Sequence, residues 1–158
     1  MSRAGMVAAR LHGESLPSFS SHADAERALF LRRDRLLASL QRAAEQSSRF
    51  AFDMSPESLK KLESWYFELL ERDNFRAIGL DRLTFEGCVA MYFGEVVVQN
   101  NPEFKWAVHE YAFQAGRYEI GVERPLVRLD LTRGIDLAAR GNNKRRHSLW
   151  RDYHRWAG

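Results

Sequence analysis

Apolar residues recur along this chain with two different periods, and the change of period divides it. After a candidate cap at Ser21, with Asp24 three residues on, Leu29, Leu36, Leu40 and Ala43 follow at near-helical spacing to about Glu45, which predicts a first helix. Arg32 and Arg33 interrupt its stripe. Ser55-Pro56-Glu57 then supplies a capping hydroxyl, a proline at the first helical position and an acid in the first turn. Leu59, Leu62, Tyr66, Leu69 and Leu70 trace one face of the helix that follows. Asp81 caps a third, in which Phe85, Cys88, Val89, Tyr92, Phe93, Val96 and Val97 recur at steps of three and four until Asn100-Asn101-Pro102 ends it. So apolar a stripe predicts a central, heavily buried helix.

Beyond Pro102 the period falls to two. The stretch from Phe104 to Phe113 is rich in aromatics, Gln114-Ala115-Gly116-Arg117 supplies a turn, and Tyr118, Ile120 and Val122 alternate on a return strand. Leu126 to Leu129, after Pro125, supplies a third short strand. A weak helix at 135–140 is bracketed by Gly134 and Gly141, and Ser148 caps a last helix carrying Trp150, Tyr153 and Trp156, three aromatics expected to point inward together. The pattern predicts an α+β fold: N-terminal helices packed on a small antiparallel β-meander and closed by C-terminal helices. Residues 1–20, with Ser, Gly and Pro17 and little periodicity, read as a flexible tail, and 21–158 as a single domain.

Composition adds limits. A chain of 158 residues can bury a two-layer core unaided, and 45% hydrophobic with 28% charged residues is ordinary globular usage. Its one cysteine, Cys88, sits among apolar residues and suits a reducing compartment. The first residues lack a signal-peptide apolar run, and apolar stretches elsewhere stop well short of the roughly 20 residues that span a bilayer. A cytoplasmic protein that enters no membrane is expected.

Ala90-Met91-Tyr92-Phe93-Gly94-Glu95-Val96, the Lys105-Trp106 entry to the hairpin, and the basic loop into Ser148-Leu149 and Tyr153 resemble a family of small uncharacterised bacterial domains. That family's pattern is a Gly-x-Tyr-x-Gly-Glu helix, a Gly-x-Trp hairpin and a Ser-Leu-x-x-x-Tyr-like C-terminal helix. Ala90 and Phe104 stand here where the pattern has its first and third glycines. The resemblance covers roughly Ser55 onward. Some members are immunity-like proteins of toxin systems, so it implies a binding or neutralising role.

Individual residues carry different weights. Gly94 inside a helix costs about 1 kcal/mol against alanine, which points to a close neighbour; a glycine notch would suit the Trp106 ring. Glu95, at the border of the apolar face, should find a donor such as an arginine or an indole N–H, and reads as structural. Tyr92, Gly94, Glu95 and Trp106 are therefore candidate structural residues. Cys88 and His109 nominally offer a thiol and a base, but a helical apolar face is the wrong setting for a reactive thiolate. The histidines, including His147 and His154, lack metal-ligand spacing, and neither a phosphate loop nor a nucleophile elbow occurs. No catalytic residue, metal ligand or cofactor is assigned.

Charge is the remaining signal. From Arg140 onward six cations, among them Lys144, Arg145 and Arg146, stand against Asp152 alone, although the whole chain nets only +3. Such a segment attracts an acidic protein surface or nucleic acid. The favoured reading is a small bacterial cytosolic binding protein with a protein partner, for which the resemblance implies a toxin. A nucleic-acid module using the basic C-terminus is the alternative, and an enzyme of unrecognised type the third.

Overall fold

The computed structural model describes residues 2–140 and 147–157. Its α-helices are α1 (Arg3–Ser15), α2 (His22–Ser47), α3 (Ser58–Glu71), α4 (Arg82–Asn100), α5 (Leu137–Arg140) and α6 (Ser148–Trp156), with a 3-10 turn at Phe75–Ile78. Strands β1 (Lys105–Glu110), β2 (Tyr118–Arg124) and β3 (Val127–Asp130) form one antiparallel meander in the order β1-β2-β3. The fold is α+β.

The helix starts follow the cap chemistry. Ser21 Oγ accepts from Asp24 N at 3.1 Å, and Asp81 Oδ1 accepts from Thr84 N at 2.7 Å. Ser55 acts one turn ahead of α3, where its Oγ accepts from Ser58 N at 3.1 Å. Helix α4 is the core of the molecule. It is buried without interruption from Phe85 to Gly94 and contacts α2, α3, α6 and the two longer strands. Each large apolar side chain so buried contributes roughly 1.5–3 kcal/mol. Opposite it, β2 turns Tyr118, Ile120 and Val122 inward. Gly121 on that strand is a close-approach glycine, since a Cβ there would strike the carbonyl oxygen of Leu129 on β3.

Two features depart from the sequence pattern. Within the stretch 1–20, read as a tail for want of periodicity, residues 3–15 form α1. That helix docks through Tyr111 Oη donating to Ala9 O at 3.0 Å, and just beyond it Arg117 Nη1 donates to Leu16 O at 2.7 Å. Its apolar side chains Met6, Val7 and Leu11 are exposed, so no buried stripe announced it. The second departure is at α6. His147, not Ser148, is the capping position, and the aromatics diverge: Tyr153 is buried, Trp150 half-buried, and Trp156 41% exposed. Nine residues turn three aromatics at steps of three through too wide an arc for one face to hold them all.

Candidate functional site

Gly94 and Trp106 meet. An added Cβ at Gly94 would fall 2.7 Å from Trp106 Cζ2 and from Leu131 Cδ1, and closer still to Trp106 Cη2. The ring is held from two sides: its Nε1 donates to Glu95 Oε2 at 2.8 Å, and the Arg33 guanidinium lies 5.2 Å from its centroid. Gln99 Nε2 donates to the other oxygen of Glu95 at 3.0 Å. Both carboxylate oxygens of Glu95 are thus engaged. Arg33, which breaks the stripe of α2 in the sequence, spreads between Phe30 and Trp106.

Tyr92, one helical turn before Glu95 on α4, enters a different contact set. Its ring packs against Phe50 and Phe52, and its hydroxyl shares a 2.6 Å hydrogen bond with Ser58 Oγ while accepting from Met54 N at 3.0 Å. Burial raises its pKa, so the phenol stays protonated. Met54 has φ of 60°, and its carbonyl accepts from Asn100 Nδ2 at 2.8 Å. A left-handed methionine is held there because both its backbone groups are fixed from α4. Cys88 and His109 are not brought together. Cys88 is wholly buried, and that burial pushes its thiol up to about 12, whereas His109 Nε2 pairs with Glu123 Oε2 at 2.6 Å on the sheet.

The basic C-terminus forms a cleft. Arg140, Ser148, Arg151, Asp152 and Arg155 line a cavity of about 420 Å³ between α5 and α6. Arg140 Nη1 donates to Asp152 Oδ2 at 2.6 Å, which neutralises the one acid. Arg155 lies over the exposed Trp156 ring at 5.0 Å, and Arg151 has no carboxylate partner among the described residues. Lys144, Arg145 and Arg146 lie outside the described residues. Beneath the cleft, Ser148 Oγ donates to Glu63 Oε1 at 2.5 Å, and Glu63 is almost fully buried in α3 with its second oxygen unpartnered. Sequence reading passed over Glu63 and the equally buried Glu86, which accepts from Tyr66 Oη at 2.8 Å. The available signal was position: Glu63 falls four residues after Leu59 and three before Tyr66, on the apolar stripe of α3.

Among the described residues His12, Glu119 and Asp130 have ligand atoms within 4.8 Å of one another. They are already engaged. His12 Nε2 pairs with Glu119 at 3.0 Å, Arg128 donates to Glu119 at 3.0 Å, Arg133 Nη1 stands 3.3 Å from His12 Nδ1, and Thr132 Oγ1 donates to Asp130 at 2.7 Å. An ion would have to enter beside two guanidiniums, which oppose it electrostatically.

No helix among the described residues is long and apolar enough to cross a membrane. No solved structure matches the chain. A relative from Bacillus subtilis (strain 168), described as uncharacterized protein YwmA, is 25% identical over 113 residues, which make up 72% of this chain and 71% of the relative. The family described as "Uncharacterised protein YwmA" matches residues 18–157, from just after α1 through α6, and the chain therefore belongs to that family.

Proposed function

We propose that this chain is a binding protein that docks an acidic protein surface on the basic cleft between α5 and α6. One observation supports the reading above the rest: a cavity of about 420 Å³ is walled by three arginines, and its single carboxylate is already neutralised by Arg140. Guanidiniums left over in a concave site favour carboxylate-bearing ligands, since each presents a planar fork of donors. Such a protein acts by covering its partner, as immunity-like proteins of toxin systems do, and it would work in the cytoplasm.

The nucleic-acid reading keeps one specific observation, the exposed Trp156 ring beside Arg155, which offers a face for base stacking. Titration separates the two. A polyglutamate peptide should bind the wild-type protein at 150 mM salt and lose affinity about tenfold or more on Arg151→Glu with Arg155→Glu. Mixed-sequence duplex and single-stranded DNA should bind no better than about 10⁻⁴ to 10⁻⁶ M at that salt. Nanomolar DNA binding that falls steeply with salt, or polyglutamate binding indifferent to the charge reversal, overturns the proposal.

A further inference from the structure

A second cavity, about 650 Å³, opens where the segment joining α1 to α2 meets the first turns of α4. Its wall is mostly apolar, from Leu16, Phe19 and Leu29, with Leu83 standing 73% exposed at the lip. Two cations reach it, Arg32 from α2 and Arg133 from the loop after β3.

The charges there do not cancel. Glu86 also lines the cavity, but its Oε1 accepts from the Tyr66 hydroxyl at 2.8 Å and faces a third cation, Arg82, at 3.8 Å. Among the described residues Arg32 donates to the carbonyl of Thr132, at 3.3 Å, and Arg133 approaches the His12 ring, also at 3.3 Å. Neither has a carboxylate partner among the described residues. Each guanidinium carries five donors, so most of them remain free for a ligand.

Gly87 supplies an independent sign. It lines the same cavity from within α4, where a glycine weakens the helix. Crowding does not require it. An added Cβ would rest 3.6 Å from Leu36 Cδ1 and 3.9 Å from Arg32 Nη2, ordinary contact distances, in contrast to the collision at Gly94. The missing methyl leaves room between Leu36 and the Arg32 guanidinium.

We propose that this cavity binds a small amphiphilic anion, a carboxylate or phosphate head on a hydrocarbon body. The head lies between Arg32 and Arg133, and the body runs along Leu16, Phe19 and Leu29 toward Leu83. The size suits such a molecule: small-ligand pockets run to about 300–1,000 Å³, largely apolar with a few placed polar groups. This site is separate from the α5–α6 cleft and does not depend on the partner-binding reading.

Calorimetric titration of the full chain with decanoate, decyl phosphate, decan-1-ol and acetate, each kept below its aggregation limit, tests the assignment. Decanoate or decyl phosphate should saturate at one per chain, about tenfold or more tighter than decan-1-ol, which lacks the charge, and than acetate, which lacks the chain. Arg32→Gln with Arg133→Gln should remove that preference for charge. Gly87→Ala should raise the thermal midpoint while weakening binding several-fold, a pairing that loss of folding cannot produce. Arg151→Glu with Arg155→Glu should leave decanoate binding unchanged. Equal binding of decanoate and decan-1-ol, no saturable binding of either anion below about 1 mM, or full affinity in the Arg32→Gln, Arg133→Gln protein overturns the proposal.

Discussion

Replacing Gly94 by alanine sets two effects of opposite sign against each other, and the geometry decides between them. Alanine is the better helix former by about 1 kcal/mol, so an uncrowded site would gain stability. At Gly94 the new methyl would lie 2.7 Å from Leu131 Cδ1 and Trp106 Cζ2, distances that no side chain tolerates without moving. Leu131 can swing its terminal methyl aside, but the indole is pinned by its bond to Glu95 and by Arg33. Displacing it costs about 1–3 kcal/mol in overpacking and strains a hydrogen bond to a charged acceptor, itself worth about 1.5–3 kcal/mol. Gly94→Ala should therefore lose about 1–2 kcal/mol net, with a thermal midpoint lower by roughly 2–8 °C for a chain of this size. Urea unfolding of four proteins tests the cause: wild type, Gly94→Ala, Trp106→Ala and the double variant. With the ring gone, Gly94→Ala should turn neutral or stabilising by up to about 1 kcal/mol, a coupling of about 1–3 kcal/mol between the sites. An equal penalty in both backgrounds, or a single variant as stable as wild type, refutes the notch.

Two other perturbations follow from the same core. Glu95→Gln keeps an acceptor for the Trp106 indole and should cost little, whereas Glu95→Ala leaves the N–H unpaired and should cost about 1–2 kcal/mol, read by urea unfolding followed through tryptophan fluorescence. Cys88 should resist Ellman's reagent at pH 8 until the protein is unfolded. Because burial raises its folded pKa from 9.0 to about 12, the unfolded thiol ionises first as pH climbs, so its contribution is intact below 9 and lost by 12, at up to about 1.4 kcal/mol per pH unit. Cys88→Ala should flatten that part of the stability–pH curve, after comparison at pH 7 removes the cavity cost.

Helices with caps and single-sided stripes were legible, as were the hairpin and its turn, because local chemistry and burial agree there. At Gly94 a mid-helix glycine and a large ring twelve residues on were enough to suggest the notch, and an acid at the stripe's border to suggest the indole acceptor. Helix α1 was hidden because its apolar residues face outward and its anchors are the carbonyl of Ala9 and the ring of His12, a backbone group and a single polar side chain that make no apolar stripe. Glu63 was hidden for the opposite reason. It lies on a buried face, but its partner Ser148 is 85 residues away, and a serine beside a helix start reads first as a cap. Arg32 and Arg33 both appeared as flaws in one stripe, yet one packs across two aromatic rings and the other rims a cavity, a distinction only the tertiary arrangement makes.

The docking of α1 also has a consequence for how the chain is made. Ala9 and His12 emerge from the ribosome before the groups that hold them: Tyr111, Glu119 and Arg133 follow 102, 107 and 121 residues later. At about 5–20 residues per second, α1 waits on the order of 5–20 seconds before its seat exists. Through that interval Met6, Val7 and Leu11 are displayed on a nascent chain, and they stay exposed after docking. Docking of α1 therefore hides none of these three side chains; what it secures is the carbonyl of Ala9 and the ring of His12, so a segment made ahead of its seat is among the last to be fixed.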